Sequence, residues 1–173
     1  MKKGEQTRGR MIESMARHLT SQGYFGTGLN QIIDETKAPK GSLYFHFPNG
    51  KEQLAAEAIV HAAAEWRAEI LAKIEGVDDP ISALGLFFDF LEARLINSKF
   101  ASGCPVATVA LEAADSSDLL HQVCSQAYAF WTEVLEQALT RWTIPSDLVN
   151  PVATTILAAI EGAIVLAKAE RST

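Results

Sequence analysis

The segment TGLNQIIDETKAPKGSLYFHF, from Thr27 to Phe47, decides how the chain is read. Leu29, Ile32 and Ile33 follow helical spacing and predict a short helix over Leu29–Thr36. Lys37-Ala38-Pro39 cannot continue it, because proline lacks an N–H and crowds the preceding turn, so a tight turn is expected there. A second short helix is expected over Lys40–Phe45. Two such helices across a short turn form a helix-turn-helix, whose second helix can enter a major groove. Leu29, Ile32, Ile33 and Leu43 would set the crossing of the pair, with Phe45 and Phe47 packed inward. The outer face of the second helix carries Lys40, Gly41, Ser42, Tyr44 and His46. These are hydrogen-bonding groups and a glycine that permits close approach, the chemistry that phosphates and base edges require.

Working outward, helical periodicity continues in both directions and strand patterning is poor. A first helix is expected over Glu5–Ser21, with Met11, Met15, Ala16 and Leu19 on one face, broken by Gly23-Tyr24-Phe25-Gly26. After Pro48-Asn49-Gly50 a long helix is expected over Lys51–Ile74. Pro80 suits the first turn of the next. Its sequence ISALGLFFDFLEARLI is apolar on nearly every side, which predicts a centrally buried helix. Further helices are expected over Val106–Ala114, from a Ser116 or Ser117 cap to Trp142, and from Ser146 to Ala169. The fold class is therefore all-α. An N-terminal three-helix domain over residues 1–50 carries the helix-turn-helix, and a second helical domain covers residues 51–173.

Charge divides along the same line. The net charge is −6, yet residues 1–51 hold eight Lys or Arg against four Asp or Glu. A basic head suited to a polyanion, double-stranded DNA, precedes an acidic body. No long uninterrupted apolar run predicts a membrane span, and no apolar segment follows the early lysines as a secretory signal would require. Two cysteines, Cys104 and Cys124, point to a reducing, cytoplasmic setting.

The run KGSLYFHFPNGKEQL, residues 40–54, resembles the signature of the TetR family of transcriptional regulators. Gly103-Cys104-Pro105-Val106 and the ending LAAIEGAIVLAKAE are similar to its LmrA/YxaF-like multidrug-repressor branch. The resemblance implies a homodimeric repressor released from its operator by a small-molecule inducer, with residues 51–173 as the helical ligand-binding and dimerisation domain. It implies Lys40, Gly41, Ser42, Tyr44 and His46 as the reading surface, with Thr27 and Lys51 as phosphate anchors. Lys51 also stands near a helix N-terminus, which favours an anion without any family argument. Two positions depart from the family: Lys37 replaces a turn glycine and would have to adopt its left-handed backbone, and Gly28 replaces a capping Ser or Thr.

No zinc-protease, phosphate-loop, dinucleotide or nucleophile-elbow motif occurs, so neither an enzyme nor a cofactor or metal is expected. His121 and Cys124 share a helical face at metal-ligand spacing, but they read as an ordinary helix surface and core. Phe87, Phe88 and Phe90 crowd one helix and Tyr128, Phe130 and Trp131 another. Such aromatics either fill a core or line a ligand site between helices. The resemblance implies the latter, with Phe87, Phe88, Phe90, Cys104, Tyr128 and Trp131 around an apolar or cationic inducer. Ala159, Gly162 and Ala163 on the last helix permit close approach of a partner helix, as a two-fold dimer needs. A small helical enzyme using the same pocket, and a DNA-binding protein without an inducer, are the alternatives.

Overall fold

The computed structural model describes residues 3–142 and 144–173, so Lys2 of the basic arm lies outside the described residues. Those residues form eight helices and no strand. They are α1 (Lys3–Gly26), α2 (Leu29–Thr36), α3 (Lys40–His46), α4 (Gly50–Ile74), α5 (Pro80–Asn97), α6 (Pro105–Ala113), α7 (Asp118–Arg141) and α8 (Ser146–Glu170). The expected boundaries hold to within a few residues because the same punctuation sets them. Pro80 occupies the first turn of α5, where Asp79 accepts the Ser82 N–H at 2.8 Å. Ser117 Oγ accepts the Leu120 N–H at 3.1 Å ahead of α7. Within α1 the backbone departs from helix at Gly23, with φ 75° and ψ −177°.

Two compact units are present, Met1–Ala64 with Pro105–Ala127, and Glu65–Cys104 with Tyr128–Thr173. This division by packing differs from the division expected at residue 50, since the first unit also takes the start of α4, α6 and the start of α7.

In the first unit, α1 packs on α2 and α6. Met11, Met15 and Leu19 are fully buried with Ile32, Leu43, Phe47, Leu54, Ile59, Val106, Val109 and Leu120. Removing each large side chain from water contributes about 1.5–3 kcal/mol, so this shared core, rather than local propensity, holds the short α2 and α3. Side-chain pairs fix their placement: Ser14 donates to Glu35 at 2.7 Å, and Arg8 pairs with Glu57. Lys37 does adopt the left-handed backbone, at φ 52° and ψ 35°, closing α2 through hydrogen bonds from its N–H to Asp34 and Ile33. As Gly28 predicts, the N-terminus of α2 has no side-chain cap.

In the second unit, α5 packs on α8. Here the expectation of a centrally buried α5 is corrected. Ala83, Phe90, Leu91 and Leu95 are buried, but Ile81, Leu84, Leu86, Phe88 and Ile96 are exposed. An apolar circumference does not by itself enclose a helix; only the faces that meet a neighbour are covered. α8 behaves alike. It is long and apolar enough to cross a bilayer, alone in this among the described helices, yet little of its apolar surface is buried within the protomer.

Candidate nucleic-acid interface and ligand cavity

The recognition candidates sit on α3, whose seven residues make barely two turns. Leu43 and Phe47, four apart, point inward and are fully buried. Lys40, Gly41 and Tyr44 are therefore turned outward and exposed, while Ser42 and His46 lie at the edge of that face. Phe45 departs from expectation: it is 80% exposed, beside Tyr44 at 61%. The reason is geometric. With Leu43 and Phe47 anchoring one side of a short helix, the residue midway between them must face away. Phe45 thus joins the outer surface, its ring edge-on to His46 with centroids 5.1 Å apart.

The two expected phosphate anchors differ. Lys51, in the first turn of α4, holds its Nζ 4.5 Å from the centre of the Tyr24 ring. Partial burial lowers its pKa, and the Glu112 carboxylate acts in the opposite sense. It stands at a helix N-terminus, with a cation–π partner limiting where the ammonium can swing. Thr27 is buried instead, its hydroxyl donated to the Gly23 carbonyl at 2.6 Å and its N–H to the Tyr24 carbonyl at 3.3 Å. It closes the end of α1, and in this conformation it has no donor left for a phosphate.

In the second unit, α4, α5, α7 and α8 surround an apolar cavity of about 190 Å³. Its walls include Trp66 and Ile70 of α4, Phe87 of α5, Trp131 and Leu135 of α7, and Ile160 of α8. Trp66 and Trp131 stack with centroids 6.0 Å apart, and Phe90 meets Trp66 edge-on at 6.4 Å. Of the six residues the sequence suggests, Phe87 and Trp131 line the cavity. Phe90 lies behind Trp66, and Phe88 points to the open side of α5. Cys104 and Tyr128 approach from another side, both donating to Glu161 of α8. Trp66, Arg67, Trp142 and Glu161 are the lining residues that sequence reasoning passed over. The three tryptophans of the chain all border this space.

The remaining candidates are simple to place. Ala159, Gly162 and Ala163 are exposed on α8, and a Cβ added at Gly162 would meet nothing within 4 Å. Cys124 is buried, with its thiol near the Val106 carbonyl at 3.8 Å, and burial pushes its pKa up to about 11. Such a thiol is a core group and a poor nucleophile.

Comparison with known proteins agrees with this layout. Residues 12–58 match the family model of bacterial regulatory proteins of the tetR family. Residues 80–173 match that of the C-terminal domain of LmrA/YxaF-like transcriptional regulators. The chain is 38% identical to the HTH-type transcriptional regulator LmrA of Bacillus subtilis over 92% of its own length and 85% of that protein's. It is 36% identical to the uncharacterized regulator YxaF of the same organism, over 92% and 84%. Among solved structures, the regulatory protein TetR from Rhodobacter sphaeroides superposes with a TM-score of 0.85 at 22% identity, covering 98% of this chain and 90% of the other, a likeness of fold.

Proposed function

Because the chain belongs to the TetR family of bacterial transcriptional regulators, a non-enzymatic DNA-binding family whose members act as dimers, with an LmrA/YxaF-like C-terminal domain, we propose that it is a cytoplasmic repressor released from its operator by a small apolar or cationic inducer. The observation that carries the inducer is the apolar cavity bordered by Trp66, Phe87 and Trp131. Its volume exceeds the roughly 150 Å³ that accommodates a single aromatic ring in other protein interiors. In this reading the DNA surface is Lys40, Gly41, Ser42, Tyr44 and His46, with Lys51 on the flanking phosphate. Thr27 reaches a phosphate only if its bond to Gly23 opens. Two copies meet through Ala159, Gly162 and Ala163 of α8, which covers the apolar face that the single protomer leaves bare.

The mechanism uses a helix that belongs to both roles. α4 begins at the phosphate-anchoring end and supplies Trp66, Arg67, Ile70 and Ile74 to the cavity. A guest that fits better when α4 tilts shifts the population toward a spacing of the two heads that no longer fits the operator. The size of that shift is set by the guest's differential affinity for the two states. Linkage makes this testable: whatever factor the inducer takes from DNA affinity, DNA must take from inducer affinity. Hits from a thermal-shift screen are titrated by tryptophan fluorescence with and without operator. Weaker binding in the presence of operator is the expected result. Equal affinities would leave a DNA-binding protein whose body serves only to dimerise.

A further inference from the structure

Two charged residues, Arg67 and Glu161, stand in the cavity wall; every other lining side chain is apolar or a tryptophan. The two do not neutralise each other, since no ion pair joins them. Arg67 is engaged elsewhere, with its guanidinium carbon 5.0 Å from the centre of the Phe130 ring. Glu161 is held by two donors, the Cys104 thiol and the Tyr128 hydroxyl, yet its Oε2 is buried without a hydrogen-bond partner. A buried carboxyl oxygen left unsatisfied costs about 1–3 kcal/mol, more when charged, so the arrangement is incomplete without a further donor.

We propose that Glu161 is the charge receptor of this cavity and that its ligand is an arylalkyl cation, whose ammonium meets the Glu161 carboxylate while its apolar body lies among Trp66, Phe87 and Trp131. The proposal rests on the ligand cavity described above and names the class of its guest. Two observations favour a cation over a neutral donor. Tyr128 and Cys104 donate to the group, which stabilises it as an acceptor and aims the second oxygen. Trp66, Trp131 and Trp142 line the same cavity as this carboxyl, and Trp66 already carries one cation, with the Arg94 guanidinium carbon 4.8 Å from its ring centre. Carboxylate and indole faces together are the pairing that ammonium groups select. Burial raises the Glu161 pKa despite its two donors, and a cation beside the carboxyl acts in the opposite sense, favouring the ionised form. The charged and titratable groups around it are Arg67 of α4, Cys104 ahead of α6 and Tyr128 of α7.

The test uses a matched pair of probes, 3-phenylpropylammonium and the isosteric neutral alcohol 3-phenylpropan-1-ol, titrated against the full chain. Tryptophan emission reports on this cavity alone, because all three tryptophans border it. The ammonium is expected to bind about tenfold or more tightly than the alcohol, as a charge-assisted hydrogen bond requires. Glu161→Gln should remove that preference, bringing the ammonium's affinity down to about that of the alcohol. Equal binding of both probes to the wild-type protein overturns the proposal while leaving the cavity intact, and needs no variant to fold. A preference that survives in Glu161→Gln overturns it as well. Binding of neither probe refutes the ligand cavity itself, a separate result from the loss of charge selectivity.

Discussion

Glu35 of α2 accepts a hydrogen bond from Ser14 of α1 at 2.7 Å, a bond between helices placed directly ahead of the turn into α3. The same carboxylate receives Arg17 and His18, the latter at 2.8 Å, so three donors of α1 converge on one residue of α2. Ser14 is fully buried, which leaves its hydroxyl few other partners. The consequence is positional. The depth at which α2 seats on α1 fixes where the short α3 emerges.

That relationship predicts an acid-sensitive head. The hydrogen bond from Ser14, then those from Arg17 and His18, lower the Glu35 pKa from 4.5 to about 2. A depressed folded-state pKa stabilises fully above the unfolded value and loses that contribution as pH falls from near 4.5 through 2. Glu35→Gln should lower stability at pH 7 by roughly 0.5–1.5 kcal/mol, a figure kept small because the side chain is partly solvated. The variant should also lose less stability than wild type between pH 5 and 3. Urea titrations at both pH values check this, and parallel acid limbs would contradict it.

On the DNA side, Tyr44→Ala should weaken operator binding without lowering the melting temperature, because Tyr44 is 61% exposed, and Lys51→Ala should weaken it with only the small loss of stability that its contact with the Tyr24 ring supplies. Lys51→Ala removes one phosphate contact from each protomer of the dimer and should reduce the slope of log affinity against log salt by about two units. Fluorescence anisotropy across a salt series measures both. An unchanged slope would remove Lys51 from the phosphate contacts.

Gly23 supplies a backbone conformation that other residues adopt only under strain, at φ 75° and ψ −177°. A Cβ there would lie 2.0 Å from the Glu112 carboxylate oxygen, and that carboxylate accepts the Phe25 N–H at 3.2 Å. Gly23→Ala should destabilise the protein by about 1–3 kcal/mol. Adding Glu112→Ala removes the collision but not the backbone strain, so the double variant should remain destabilised. Full recovery in thermal melts would assign the whole effect to the collision.

The dimer offers a separate test. Wild-type protein should sediment as a dimer at micromolar concentration, and Gly162→Glu should shift it toward monomer by placing an unpaired charge in a close helix contact. The added side chain meets nothing within the protomer, so the monomer should retain its helix content by circular dichroism. A Gly162→Glu protein that remains dimeric would move the interface off this part of α8.

What the sequence determined by itself is the information that neighbours in the chain carry. The Met11, Met15 and Leu19 stripe, the proline and glycine punctuation and the two helices around the Lys37 turn all follow from local sterics and helical period, whereas the left-handed backbone of Lys37 is implied by the family resemblance. Helical spacing from Leu43 also separates Phe47, inside, from Phe45, outside, a distinction that the shared aromatic character of the two residues obscures. Tertiary structure decided everything that depends on which face meets which neighbour. On α5, phenylalanines at 87, 88 and 90 are equivalent in the sequence. Packing puts the first in the cavity wall, turns the second to the open side, and sets the third behind Trp66. The same holds for Glu161, whose partners Cys104 and Tyr128 lie far away in the chain. No local pattern encodes such a meeting, because the free energy that creates it comes from desolvating surfaces contributed by separate helices.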